Sequence, residues 1–141
     1  MKKVLLVLTL CLAAFGVAFA DNYGLKVAQH SEYGDYLSDY NGKSLYIFKN
    51  DVKGSGASTC YDACIAAWPA YLVDSSTYSA GLSGDFTVIT RTDGKYQLAY
   101  NGWPLYYFAG DQKAGDTNGY GVGEVWYLAN YKAEASSNSS Y

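Results

Sequence analysis

The sequence has almost no histidine. His30 is the only histidine in 141 residues, and it lies in the N-terminal segment. A Ser-His-Asp or Cys-His set needs a histidine beside its nucleophile, and a histidine-rich zinc site needs several. A pair of carboxylates could still support hydrolysis, but no motif selects one. We therefore predict a protein that is not an enzyme, with no catalytic residues, no metal site and no cofactor.

An excess of basic charge is also missing. The formal net charge is −3, so electrostatics give no reason to expect binding to nucleic acid or to an anionic membrane. The partner is unknown from the sequence. A protein or a glycan at the cell envelope are the alternatives left open.

Long apolar runs are absent after the first 20 residues. Lys2 and Lys3 precede an apolar run over residues 4–17 and a small-x-small motif at residues 18–20, which predicts a signal peptide (1–20). Cys11 follows a leucine inside the run, which is a poor context for a lipid acceptor. We expect an exported periplasmic or extracellular protein with no transmembrane segment, whose mature chain has lost both lysines and carries a net charge of −5 instead of −3.

What the sequence does contain is a repeat. Residues 41–53 recur as residues 101–113 without a gap, so Tyr106 follows Tyr46 by 60 residues. A period of this length indicates a duplicated supersecondary unit. The 16 tyrosines and 15 glycines favour strands and tight turns. We predict one mainly β domain (33–131) of two similar antiparallel hairpin or meander repeats (about 33–73 and 86–131).

The predicted elements follow the same plan in both repeats. A leader (21–32) carries a first strand at 24–28. Strands at 33–39 and 44–50 flank an Asn-Gly hairpin turn, and one short cysteine-bearing helix runs over 60–68, capped by Ser58 or Thr59. The second repeat has strands at 86–91, 96–100, 105–109 and 124–129. A flexible tail is expected at 132–141.

Cys60 and Cys64 are the two cysteines that remain after export. In an oxidising compartment the default is a disulfide. Helical residues four apart have Cβ atoms about 5–6 Å apart, whereas a disulfide needs about 3.5–4.5 Å. We therefore expect Cys60 to lie outside regular helix. A redox-active or metal-binding pair is the alternative.

Asp51 and Asp111 end the two repeated strands, and each precedes a loop rich in glycine. We expect each carboxylate to cap the turn that follows it by accepting backbone N–H groups. The alternative is a calcium site, to which Asp116, Asn118 and Glu124 could add oxygen ligands.

The aromatic residues allow two interpretations. Packing in and around the core of a small β domain is favoured. The alternative is a stacking surface for a glycan, a quinone or a partner, with Trp68, Tyr107 and Trp126 as its candidate residues.

Both repeats fit the pattern Tyr-x-(Phe/Trp/Tyr)-x-x-Asp. The motif residues are Tyr46, Phe48, Asp51, Tyr106, Phe108 and Asp111. With the cysteine pair that leads into Trp68, the chain resembles a family of bacterial and archaeal secreted repeat proteins and predicted lipoproteins of unknown function, over residues 33–130. Cys11 does not fit the lipid-acceptor site that many members carry, and residue 70 is alanine where a second proline is frequent.

The resemblance implies an exported two-repeat domain and no specific activity. We expect a non-catalytic envelope or extracellular module with a binding or structural role. An accessory protein in periplasmic redox or metal handling is the alternative.

Overall fold

The computed structural model describes residues 24–133. The predicted signal peptide and residues 134–141 of the predicted tail lie outside this range. Within it, no helix is both long enough and apolar enough to cross a membrane.

The described chain is mainly β with antiparallel sheets, which confirms the predicted fold class. It contains one short α-helix, one turn of 3-10 helix (Val122–Glu124) and eight short strands. The strands are β1 (Lys26–His30), β2 (Gly34–Ser38), β3 (Tyr46–Phe48), β4 (Leu72–Val73), β5 (Phe86–Thr90), β6 (Tyr96–Tyr100), β7 (Trp103–Pro104) and β8 (Trp126–Leu128), and the helix is α1 (Ala63–Ala67).

Each repeat begins with a hairpin of two five-residue strands. β1 pairs with β2 from Lys26↔Ser38 to His30↔Gly34, and β5 pairs with β6 from Phe86↔Tyr100 to Thr90↔Tyr96. The strand predicted at 24–28 within the leader (21–32) thus lies at residues 26–30, where it forms the first strand of the first repeat. Its five backbone pairings with β2 give this segment a defined structure.

The strand after the first Asn-Gly turn pairs with the other repeat. β3 pairs with β8 in the register Tyr46↔Leu128 to Phe48↔Trp126. The predicted full hairpin between the strands at 33–39 and 44–50 is therefore wrong, and only the bridge Ser38↔Ser44 joins them beyond the turn. An Asn-Gly pair specifies the local reversal, whereas the partner of the strand is chosen by non-local packing.

A segment of the second repeat pairs in turn with the end of the first repeat. The Tyr107 N–H donates to the Pro69 carbonyl over 2.7 Å, and the Ala109 N–H donates to the Ala67 carbonyl over 2.8 Å. Residues 106–109 thus lie along the end of the first repeat, as β3 lies along the end of the second. The two repeats are intertwined around an approximate twofold axis.

The core follows the same symmetry. Residues 41–50 and 101–110 share one sequence of exposed, half-buried and buried positions. Leu37, Leu45, Leu98 and Leu105 are fully buried. Leu45 N–H donates to the Leu37 carbonyl and Leu105 N–H to the Leu98 carbonyl, each over 3.0 Å, so the same apolar layer is built twice.

The Cys60–Cys64 disulfide is present, with its Cα atoms 5.2 Å apart. As expected, Cys60 lies before the helix, which begins at Ala63 and not at residue 60. The residue at the N-cap is Asp62, and its side chain makes no capping bond. The predicted capping residues do not cap the helix. The Ser58 hydroxyl is hydrogen-bonded to Tyr106, and the Thr59 hydroxyl is hydrogen-bonded to Asp51.

The Asn-Gly turn of the second repeat packs against the loop of the first. Gly102 has φ +80°, and a Cβ added to it would lie 2.7 Å from the backbone nitrogen of Gly54. The same nitrogen donates to the Gly102 carbonyl over 2.9 Å. Gly102 therefore meets two requirements, a left-handed backbone and a close approach between the repeats.

We expect Gly102→Ala to destabilise the fold more than Gly94→Ala. Gly94 has nearly the same φ, +81°, but open space around it. Gly94→Ala should cost about 1–2 kcal/mol for the left-handed backbone alone, and Gly102→Ala about 1–3 kcal/mol more for the steric overlap. Denaturant unfolding measures the two free energies, and equal losses would contradict the close approach between the repeats.

Candidate functional site

The repeat motifs meet at the centre of the molecule. Tyr46 and Tyr106 exchange both backbone hydrogen bonds, over 2.8 and 3.0 Å. Each phenol then reaches the carboxylate of the opposite repeat: Tyr46 donates to Asp111, and Tyr106 donates to Asp51, both over 2.6 Å. The motif residues are thus paired across the repeats rather than within each one.

The other oxygen of each carboxylate closes a loop. Asp51 Oδ1 accepts the N–H and the hydroxyl of Thr59, over 2.8 and 2.7 Å. Asp111 Oδ1 accepts the Asn118 N–H over 2.9 Å. Both carboxylates are buried, so their hydrogen bonds offset the cost of removing the charge from water.

The residues proposed as additional calcium ligands lie in other arrangements. Asp116 accepts hydrogen bonds from the backbone N–H groups of Gln112 and Lys113. Asn118 donates its backbone N–H to Asp111. Within residues 24–133, no group of three or more His, Cys, Asp or Glu side chains is placed to hold a metal ion.

The two tyrosine–aspartate pairs differ in their third partner. The Tyr106 oxygen accepts from Ser58 over 2.6 Å, and Ser58 in turn accepts from the buried Arg91 over 3.0 Å. The Tyr46 oxygen instead accepts the Gly119 N–H over 3.2 Å. A Cβ on Gly119 would lie 2.8 Å from the Trp68 ring, which explains a glycine at this point of the second repeat.

Four aromatic rings form a stack across the approximate twofold axis. Its order is Phe48, Trp126, Trp68 and Phe108, with ring centroids 4.2, 3.8 and 4.3 Å apart. Successive rings come from alternate repeats. Each contact of this kind contributes about 0.5–1.5 kcal/mol beyond the area that it buries.

The stack corrects the proposed aromatic surface. Trp68 and Trp126 are each only 5% exposed, because each indole covers the other. Tyr107 is half-buried, and its hydroxyl donates to Asp39 over 2.9 Å. The three residues therefore do not form one exposed stacking surface, and the two indoles belong to the core.

Two clefts flank the central stack, and they occupy equivalent places in the repeats. Cleft A has a volume of about 370 Å³. Its lining includes the rings of Trp103, Tyr120 and Tyr127, the amines of Lys49 and Lys53, and the amides of Asn101 and Asn130. Lys49 Nζ lies 5.1 Å from the centre of the Trp103 ring and 6.0 Å from that of Tyr127.

Cleft B, of about 400 Å³, has a different lining. It includes Asp39, Asn41, Lys43, Tyr107, Ala109 and Asp111. Lys43 stands where cleft A has Trp103, and Ala109 where cleft A has Lys49. The Lys43 amine donates to the Asp111 carbonyl over 2.9 Å, and Tyr107 is bound to Asp39. Internal hydrogen bonds therefore occupy the Lys43 amine and the Tyr107 hydroxyl of cleft B.

A wider depression of about 590 Å³ lies beside α1. Its central charge, Arg91, donates to Ser58, Gln97 and the Cys60 carbonyl over 2.7–3.0 Å and lies over the Tyr61 ring. These contacts hold the guanidinium in the structure. Cleft A is therefore the strongest candidate for a binding site.

Sequence reasoning did not find the residues of cleft A. Lys49 follows β3 in the first repeat, whereas Trp103 and Tyr127 lie in β7 and β8 of the second repeat. The sequence did contain a signal for cleft A, because the two repeats differ at its positions. Lys49 aligns with Ala109, and Trp103 aligns with Lys43. Positions that differ inside an otherwise repeated motif mark where the two units perform different tasks.

The intertwined repeats coincide with a known sequence unit. A family model described as a secreted repeat of unknown function matches residues 28–71 and again residues 87–130. The chain belongs to this family. The match confirms the resemblance stated from the motif. A search of curated proteins and a search of solved structures find no match.

In this secreted repeat protein, the exchange of partners gives a prediction for the motif residues. Tyr46→Phe should cost about 1.5–3 kcal/mol, because it removes a hydrogen bond to a buried carboxylate. A double-mutant cycle with Asp111→Asn should show coupling of about 0.5–3 kcal/mol. The matched cycle of Tyr46→Phe with Asp51→Asn, within one repeat, should be additive. Coupling within the repeat and additivity across repeats would contradict the observed pairing.

The same phenols predict a loss of stability in alkali. Burial, reinforced by the hydrogen bond to Asp111, raises the pKa of Tyr46, and burial with the bond to Asp51 raises the pKa of Tyr106. In the unfolded chain a tyrosine has a pKa of about 10. The folded state therefore holds these protons more tightly, and the stability they contribute is complete below about pH 10 and is lost as the pH rises further.

Denaturant unfolding at increasing pH measures this loss, and phenolate absorbance shows whether the buried phenols ionise only on unfolding. The variant with both Tyr46→Phe and Tyr106→Phe should lose stability less steeply above about pH 10. An equal slope in the variant would contradict the assignment.

Proposed function

We propose that this protein is an exported, non-catalytic module that binds a glycan in cleft A. The observation that carries the proposal is the combination of aromatic rings and amide groups in one open cleft. Sugar rings have apolar C–H faces that stack on aromatic rings and hydroxyl groups that bond to amides. Trp103 and Tyr127 supply the rings, and Asn101 supplies a side-chain amide. The amide nitrogen of Asn130 already donates to the Tyr33 and Asp35 carbonyls.

The size of the cleft supports this proposal. A volume of about 370 Å³ lies within the range of about 300–1,000 Å³ for small-molecule sites. Trp103 and Tyr127 are half-buried, so one part of each ring is fixed by packing. Rings held in this way lose little conformational entropy when a ligand covers them.

The lining of cleft A favours binding over catalysis. It includes no aspartate, glutamate, histidine, serine or cysteine, so it offers neither the pair of carboxylates used in glycoside hydrolysis nor a nucleophile with a base. The motif carboxylates Asp51 and Asp111 are buried and bound to tyrosine hydroxyls.

The disulfide also fits a structural role better than the redox alternative. Cys60 is fully buried, and Cys64 is half-buried. Burial shields the Cys60 sulfur from an attacking thiolate, so exchange could begin only at Cys64. The family description, a secreted repeat, agrees with the export that we propose.

Binding can be tested on a panel of immobilised neutral, amino and acidic polysaccharides. We expect the purified protein to bind at least one of them. Trp103→Ala should weaken that binding by about tenfold, since removing a stacking ring costs about 1.4 kcal/mol. Tyr40→Ala is the control, because Tyr40 is 43% exposed and lies outside the lining of cleft A.

Three outcomes would contradict the proposed function. The protein could bind no polysaccharide, Trp103→Ala could bind as tightly as the wild type, or incubation could release new reducing ends. The last result would show catalysis. The melting temperature of each variant shows whether lost binding reflects lost folding.

A further inference from the structure

Cleft A and the protein as a whole carry opposite charges. The chain has a formal net charge of −3, yet the lining of cleft A contains Lys49 and Lys53 and no carboxylate. Two cations in one cleft create a local positive potential, which attracts an anionic ligand and repels a cationic one. We propose that the glycan of cleft A is acidic and that its uronate carboxylates lie beside Lys49 and Lys53. This proposal rests on the glycan-binding function proposed above.

The Lys49 amine is positioned by the same rings that would stack on sugar. It lies 5.1 Å from the centre of Trp103 and 6.0 Å from that of Tyr127. At these distances the ammonium group lies over the two rings, within the aromatic surface of the cleft. A sugar ring stacked there brings a ring carboxylate within reach of the ammonium group, so that one unit of a uronate chain uses both contacts.

Lys53 adds a second charge at the mouth of the same cleft. A Cβ at Gly102 would lie 3.2 Å from Lys53 Cγ, so the stem of Lys53 passes over the Asn-Gly turn of the opposite repeat. Lys53 itself is exposed. The two lysines come from one repeat, and the surface beneath them comes from the other.

Cleft B provides an internal comparison. The position equivalent to Lys49 is Ala109, and the lining of cleft B includes Asp39 and Asp111. The one lysine of that lining, Lys43, is bound to a backbone carbonyl. The positively charged lining is therefore found in cleft A and not in the equivalent cleft B, so it is not common to both repeats.

A row of rings continues from cleft A along the surface. Tyr120, which lines the cleft, meets Tyr127 edge-on at 5.4 Å and stacks on Tyr33 at 3.7 Å. His30 stacks on the far side of Tyr33 at 4.4 Å. Tyr120 and His30 therefore cover the two faces of Tyr33, and this stack holds Tyr120 in place at the side of cleft A.

Three soluble probes test the acidic assignment by calorimetry. They are uronate oligomers (oligogalacturonate and alginate oligomers), methyl-esterified oligogalacturonate, and polyglutamate, which carries carboxylates but no sugar. We expect a uronate oligomer to bind about tenfold more tightly than the ester, because only the uronate carries the carboxylates that Lys49 and Lys53 attract. Binding should weaken with added salt, and polyglutamate should bind more weakly than the oligomer.

Matched lysine variants locate the charge. Lys49→Gln and Lys53→Gln should each weaken uronate binding severalfold and weaken binding of the ester by a smaller factor. Lys113→Gln is the control, because Lys113 is the repeat equivalent of Lys53 and lines neither cleft. It changes the net charge by the same amount, so equal losses in all three variants would show a general charge effect and overturn the assignment.

The outcomes separate this proposal from the function on which it rests. Equal affinity for uronate oligomers and the ester, or binding of neutral glycans only, would overturn the acidic assignment and leave glycan binding standing. Polyglutamate binding as tight as that of uronate oligomers would overturn both, since charge alone would then explain the affinity. Absence of binding to every glycan, in this experiment and on the panel, would also overturn both.

Discussion

The antiparallel contact between Tyr46 and Tyr106 is the constraint on which the rest of the structure depends. Their two backbone hydrogen bonds fix the register between the repeats, and that register places each phenol at the carboxylate of the other repeat. It also brings Trp68 against Trp126, with 2° between the ring planes. A shift of one residue would turn both phenols away from their carboxylates, so backbone pairing and side-chain pairing specify the same arrangement.

Much of the fold could be predicted from the sequence because its signals are local. The disulfide and the strand at residues 96–100 were indicated by neighbouring residues, and the structure confirms them. The repeat was visible as similarity at an offset of 60 residues, and the two matches to the family model confirm it. The exchange of strands could not be predicted in this way. The Asn-Gly turn determines a reversal of the chain, but the partner of β3 depends on which apolar faces meet over a separation of about 80 residues. Cleft A was missed for the same reason, since Lys49 and Trp103 become neighbours only through that exchange.

The approximate symmetry also explains where the repeats could become different. Residues on the axis face their own equivalents, so a change at Tyr46, Trp68 or their counterparts alters a shared contact. The clefts lie away from the axis, and each uses its own residues. In cleft B the Lys43 amine and the Tyr107 hydroxyl are used in internal hydrogen bonds, whereas cleft A has lysines and aromatic rings at the equivalent positions. One scaffold thus holds two clefts of similar size with different linings.

The exchange of strands has a consequence for the two halves of this architecture. A single repeat, cut from the chain, would leave its motif strand and its indole without the partners that cover them. It could recover both only by joining a second copy of itself, since each copy holds what the other lacks. The fold therefore has the form of an isologous dimer contained in one polypeptide. Because the two halves are covalently joined, their pairing does not depend on protein concentration, and equivalent positions can carry different residues, as Lys49 and Ala109 do.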